Sequence, residues 1–136
     1  MKLKYLDEDI AKRQAVAAYY YEHISNPMIE LPERLPDENN VYHLFPILVR
    51  NERVKELRSE RDRLHDYLES KGIGTVIHYP IAPHKQECYA KAEWNMPQLS
   101  LPITEMIADC ELSLPISPCM TKEQIQYVVD AINGFK

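Results

Sequence analysis

The densest concentration of reactive side chains is His78-Tyr79-Pro80-Ile81-Ala82-Pro83-His84-Lys85, where two imidazoles, a phenol and an ammonium share a short stretch stiffened by prolines. Imidazole both donates and accepts hydrogen bonds and titrates near neutrality, a phenol is a directional donor, and an ammonium attracts anions. Held on a rigid strand end, such groups could aim at a polar ligand. Residue types alone favour a plainer arrangement, in which His78 and Tyr79 alternate across a sheet, one of them buried and bonded, and His84 caps the helix that follows. His78, His84 and Cys88 are also zinc-ligand types, but their spacing fits no finger pattern and no metal site is expected. Tyr42, His43 and Tyr79 could act as acids or bases, yet no carboxylate adjacent in sequence orients them as a triad would require. Arg50, Arg53, Arg58, Arg61 and Arg63, with Lys55, form the one cationic concentration. Glu52, Glu56, Glu60 and Asp62 interleave with them, which predicts a solvated face of close charge pairs rather than a phosphate site.

The elements that must position these groups follow from periodicity. Leu6, Ile10, Val16 or Ala17, Tyr20 or Tyr21 and Ile24 recur at helical spacing, with Asp7, Glu8 and Asp9 near the positive end of the dipole, so a long amphipathic helix is expected over 3–24. The tyrosines at 19, 20 and 21 are read as packing that helix. Pro27, Pro32 and Pro36 then mark a semi-extended connector up to Asn40. The apolar run Val41–Val49 reads as a buried strand in which Pro46 forces a bulge or an unpaired edge position. Ser59 to Asp62 resembles a capping box for a helix ending at Lys71-Gly72, and Gly74–Tyr79 reads as a second strand. Short helices are expected over His84–Ala92 and Ile103–Cys110, a short strand at Leu112–Leu114, and a last helix opened by the capping box Thr121-Lys122-Glu123-Gln124 and closed at Gly134. The fold class is α+β, a small sheet of two to four strands packed with helices.

Composition narrows the functions. The 136 residues suit one domain, and a net charge of −5 supplies no field for a nucleic acid, so none is expected as a partner. Gly72, Gly74 and Gly134 are the only glycines, which excludes both GxGxxG and the P-loop spacing. No apolar run approaches membrane-spanning length and no signal-peptide core is present, so neither a membrane nor an export role is expected and the reading is cytoplasmic. Cys88, Cys110 and Cys119 form no CxxC pair and are expected to be reduced, mostly buried thiols.

Three blocks, VYHLFPILV, GIGTVIHYPIAPHKQ and LPITEMIADCELSLPISPCMTKEQIQYVVDAIN, resemble in order and spacing the C-terminal small domain of the sugar aminotransferases of the DegT/DnrJ/EryC1/StrS family. The opening LKYLDEDIAKRQAVAAYY is similar to the helix leading from the large domain of those enzymes into the small one. The resemblance implies a fold-type I pyridoxal-phosphate enzyme divided here into a linker helix (1–26), a connector (27–40) and a small C-terminal domain (41–136). It implies transfer of an amino group from L-glutamate to a nucleotide-linked keto-deoxy sugar by a homodimer. The loop and the LPITE and LSLPISP segments most resemble enzymes that aminate carbon 3 of a dTDP-linked 3-keto-6-deoxyhexose. Ala82 stands where that loop usually has a second proline, so amination at carbon 4 stays open. By the same resemblance His78, Tyr79 and His84 contact the substrate or position a proton, and His43 is a structural histidine on its strand. No lysine here resembles the Schiff-base lysine of the family, so no catalytic residue is expected in this chain, which reads as a fragment inactive alone and without bound cofactor. The alternative is a stand-alone binding or interaction module built on the small domain.

Overall fold

The computed structural model describes residues 2–34, 39–50, 56–89 and 98–136. Among these residues four α-helices pack with a three-stranded antiparallel sheet. A 3-10 turn at Lys2–Tyr5 runs into α1 (Leu6–His23), followed by β1 (Ile29–Glu30), β2 (Phe45–Val49), α2 (Leu57–Ser70), two 3-10 turns at Pro83–Lys85 and Glu87–Tyr89, α3 (Pro102–Cys110), β3 (Glu111–Leu114) and α4 (Lys122–Gly134). The order across the sheet is β1-β2-β3.

Alternation of side chains along the strands sorts the sheet into two faces. Phe45, Ile47 and Val49 of β2, with Leu112 and Leu114 of β3, join Val16, Ala17 and Tyr20 of α1, Leu64 and Leu68 of α2, and Val128, Val129 and Ile132 of α4 in one buried cluster. Each Val, Leu, Ile or Phe among them contributes roughly 1.5–3 kcal/mol when fully buried. The opposite positions of the same strands are Pro46 and Leu48, paired with Ser113 and Glu111.

Pro46 sits in the central strand without a bulge, because the register from Phe45↔Leu114 to Leu48↔Glu111 is continuous. Ser113 spends its backbone N–H and C=O on Val76, at 2.8 and 3.2 Å. The pair Pro46↔Ser113 is therefore non-hydrogen-bonded, and the proline nitrogen faces the side where β1 pairs only Val49 and Leu48. With no β1 residue opposite it, the missing N–H costs no ladder bond.

Helix ends follow their sequence signals unevenly. Thr121 and Gln124 form the expected reciprocal capping box of α4. Gly72, at φ 73°, closes α2 as a Schellman turn, with Gly72 N–H donating to Glu69 and Ile73 N–H to Leu68. The expected box at Ser59 is absent, since α2 begins earlier, at Leu57, after an N-cap Glu56 that makes no side-chain cap.

Several expectations are corrected. The strand at 41–49 is shortened to Phe45–Val49, because Asn40 Oδ1 accepts from Tyr42 N–H at 2.8 Å and Tyr42 turns through φ 46°. His43 consequently precedes the strand and is exposed. The connector contains β1. The strand at 74–79 is reduced to one bridge, Val76↔Ser113, because the next N–H on the side facing β3, at His78, donates to the Glu111 carboxylate instead of a strand carbonyl. The helix at His84–Ala92 is replaced by two 3-10 turns separated by an extended Gln86, with Ala90–Ala92 outside the described residues. Cys88 and Cys119 are exposed; only Cys110 is buried, and burial pushes its thiol up to about 11.

The arginine face also departs from a fully solvated one. Arg58 pairs with Asp109 at 2.6 Å and Arg63 with Glu60 at 2.6 Å, as expected of surface pairs. Arg61, however, is 2% exposed and donates to Asp62 at 2.6 Å and to the Ala108 carbonyl at 3.0 Å. Its spacing with Leu64 and Leu68 puts it on the inner face of α2, where it ties α2 to α3. Arg53 and Lys55 lie outside the described residues. Tyr20 is buried in the core with its hydroxyl donated to the Pro115 carbonyl at 2.7 Å, and Tyr21 packs edge-on against Phe45, as the packing role of that triplet requires.

Candidate functional site

The loop 78–85 leaves the edge of β3 and is held by two carboxylates that the sequence reading did not single out. Glu111, 3% exposed, accepts the backbone N–H of His78 at 2.6 Å through Oε2 and the Ser113 hydroxyl at 2.7 Å through Oε1. The Ser113 Oγ lies 2.9 Å from His78 Nδ1. Their signal in the sequence is faint: a carboxylate and a hydroxyl two residues apart in an apolar strand, and so on one face of it.

The second anchor is Glu105 of α3. Its Oε1 accepts from the Leu101 backbone N–H at 3.0 Å and from His84 Nε2 at 3.1 Å, and its Oε2 pairs with Lys85 Nζ at 2.8 Å. The hydrogen bond from Lys85, then those from Leu101 and His84, hold the Glu105 carboxyl down at about 2. A carboxylate only accepts, so Nε2 of His84 carries a proton, and in the neutral tautomer that this selects Nδ1 is a bare acceptor. That atom is buried and has no hydrogen-bond partner among the described residues, although His84 is only 6% exposed.

The structure thus gives the candidate residues three different situations. His78 is half-buried and bonded at Nδ1, His84 is buried with Nδ1 unmatched, and Tyr79 is 61% exposed with its ring edge-on to His78. His84 bonds a carboxylate rather than capping a helix. His78, His84 and Cys88 are not gathered as a ligand set; among the described residues only His65, Asp66 and Glu69 bring three ligand atoms within 4.8 Å of one another, and they lie on the surface of α2. A cleft of about 900 Å³ lined by Lys12, Val16, Tyr19, Ser117, Met120 and Tyr127 shares no residue with the loop. With Ile81 also exposed, the loop offers an open face carrying polar groups rather than an enclosed pocket. No helix among the described residues is long and apolar enough to cross a membrane.

The profile of the DegT/DnrJ/EryC1/StrS aminotransferase family matches residues 1–133. The chain belongs to that family. A dTDP-3-amino-3,6-dideoxy-alpha-D-galactopyranose transaminase of Aneurinibacillus thermoaerophilus is 47% identical over 99% of the chain, which covers 34% of that protein. A dTDP-3-amino-3,4,6-trideoxy-alpha-D-glucose transaminase of Streptomyces venezuelae is 39% identical over 97% of the chain, covering 32% of that protein. Among solved structures, DesV of S. venezuelae, in complex with a ketimine intermediate, is 34% identical with a TM-score of 0.74, the match covering 97% of this chain and 33% of that one. NtdA of Bacillus subtilis, with bound cofactor PMP, is 30% identical with a TM-score of 0.76, covering 95% of this chain and 28% of that one. The chain therefore spans about a third of the length of the relatives it matches. Pyridoxal-phosphate dependence is a property of the family.

Whether these residues fit that cofactor can be read from the lysines. Every lysine whose side-chain exposure is described is exposed, and Lys85 is already committed to Glu105. The described residues accordingly do not fit the cofactor by themselves: none of these amines is held in a buried, water-excluded site.

Proposed function

We propose that this chain forms the sugar-facing part of a pyridoxal-phosphate-dependent aminotransferase that moves the amino group of L-glutamate to a nucleotide-linked keto-deoxy sugar, with a dTDP-linked 3-keto-6-deoxyhexose as its substrate. The observation that carries this reading is the likeness, along nearly the whole chain, to two transaminases named for dTDP-linked 3-amino sugars. In this reading residues 1–26 lead in from a cofactor-binding portion, 27–40 connect, and 41–136 form the small domain. The open face at 78–85 meets its opposing wall there and at a second subunit, in a homodimer of the cytoplasm. His78 and the Tyr79 phenol contact the sugar from the rim, and His84 Nδ1, buried without a partner among the described residues, accepts a hydrogen bond from a sugar hydroxyl once the loop at 78–85 shifts to admit it. The 136-residue chain alone is inactive, because the cofactor's lysine comes from elsewhere.

The test joins the chain to its cofactor-binding portion and follows 2-oxoglutarate release from L-glutamate with 3-keto and 4-keto dTDP-hexoses. Turnover restricted to the 3-keto sugar, absent with the 136-residue chain and lowered by His78→Ala and by His84→Ala, is the expected result. Preference for the 4-keto sugar overturns the position of amination. Unchanged turnover and sugar affinity in both variants removes the two histidines from the site.

A further inference from the structure

We propose that Glu111 and Ser113 are positioning residues that hold His78 as its Nδ1–H tautomer, making Nε2 a hydrogen-bond acceptor aimed at a hydroxyl or amine donor of the sugar. The proposal rests on the reading of the 78–85 loop given above, and it assigns roles to two residues of β3 that touch no substrate.

The argument is a count of protons. Both oxygens of Glu111 are occupied as acceptors, Oε2 by the His78 backbone N–H at 2.6 Å and Oε1 by the Ser113 hydroxyl at 2.7 Å. A serine hydroxyl has one proton, and here it is spent on the carboxylate. The Ser113 oxygen that faces Nδ1 at 2.9 Å is left only lone pairs, so the proton in that contact belongs to the imidazole. The neutral ring then carries a lone pair at Nε2, which has no partner among the described residues. Burial makes the arrangement directional: Glu111 and Ser113 are both buried, on the face of β3 turned away from Leu112 and Leu114, so water does not compete for these bonds. Glu111 also grips the backbone of His78 itself, fixing the origin of the ring as well as its rotation. The Tyr79 ring stands edge-on to the imidazole, with centroids 5.5 Å apart. A mere stitch between loop and sheet needs the bonds but is indifferent to which ring nitrogen carries the proton. Presentation of Nε2 as an acceptor is not.

Imidazole ¹⁵N NMR of the labelled 136-residue chain, above the pH at which His78 is seen to lose its charge, reads the tautomer directly. Loss of one set of ring signals in His78→Gln makes the assignment. The expected result is a protonated Nδ1 and a bare Nε2. Ser113→Ala shifts the ratio toward Nε2–H by about five- to tenfold, the worth of one hydrogen bond, and Ser113→Thr, which keeps the hydroxyl, restores it. Glu111→Gln reverses the tautomer, because the amide donates to Ser113 and frees the serine proton for Nδ1. A wild-type ring that is mainly Nε2–H, or a ratio unmoved by Ser113→Ala and Glu111→Gln in folded protein, overturns the proposal. A dTDP-linked 3-amino-3,6-dideoxyhexose added to the protein that includes the cofactor-binding portion is expected to move the Nε2 signal. If it leaves that signal still while the tautomer results hold, the sugar reading falls and the positioning of His78 stands.

Discussion

The two faces of β3 are built on different principles. Leu112 and Leu114 turn toward Phe45, Ile47, Tyr20 and Leu64, where contact is non-directional and any well-packed apolar shape is stabilising. Glu111 and Ser113 turn the other way and are also buried, but their side chains make specific hydrogen bonds at 2.6–2.9 Å. The apolar face accounts for the fold. The polar face contributes modestly to stability and determines where the imidazole of His78 points, and the Glu105 clip does the same for His84. The lesson is that burial does not by itself mark a residue as structural: in a strand with all four side chains buried, two serve the core and two serve the loop.

Breaking the apolar face should have the largest effect. Phe45→Ala is expected to cost about 3–5 kcal/mol, read as a fall in the urea midpoint with the slope retained. Arg61→Met keeps volume in α2 but withdraws the donor from the Ala108 carbonyl, and should cost about 1–3 kcal/mol in the same measurement. His84→Leu sharpens the contrast. It removes one hydrogen bond to Glu105 and at the same time an unmatched buried nitrogen, so stability should change by less than about 1 kcal/mol while affinity for the sugar falls. The smallest effect is on acid titration of the Glu105 clip. With its carboxyl lowered from 4.5 to about 2, the clip's contribution is complete above the ordinary carboxylate value and is lost as the pH falls through about 2. The Leu101 amide resonance should report that loss near pH 2, and a midpoint near 4.5 would show the clip to be absent in solution.

Much of this arrangement could be read in the sequence, and the reasons for the gaps are local. The first, second and last helices, the Gly72 stop and the Thr121 box are set by short-range rules, and the α+β sheet is three-stranded as the pattern allows. Val41–Leu44 carries the same β-forming residue types as the strand proper, but the Asn40 side-chain bond to Tyr42 N–H and the bonds from Arg13 and Gln14 of α1 to the Val41 and Asn40 carbonyls hold it off the sheet. Gly74–Tyr79 has the strand pattern too, but tertiary bonds to Glu111 and Ser113 bend it off after Val76. The loop at 78–85 was legible because its residue types are conspicuous and clustered. Glu111, Ser113 and Glu105 were not, because what matters in them is a contact across 21 to 35 residues, which spacing along one chain does not display.

The most direct test of the division between contacts that form the fold and contacts that hold the loop for its proposed ligand is a single comparison on the enzyme that includes the cofactor-binding portion: the urea midpoint and the sugar KM of His84→Leu against wild type. The account predicts an unchanged midpoint with KM raised about tenfold or more, the loss of one buried hydrogen bond to the sugar. A variant with a lowered midpoint and an unaltered KM would contradict it and make His84 a structural residue of the loop.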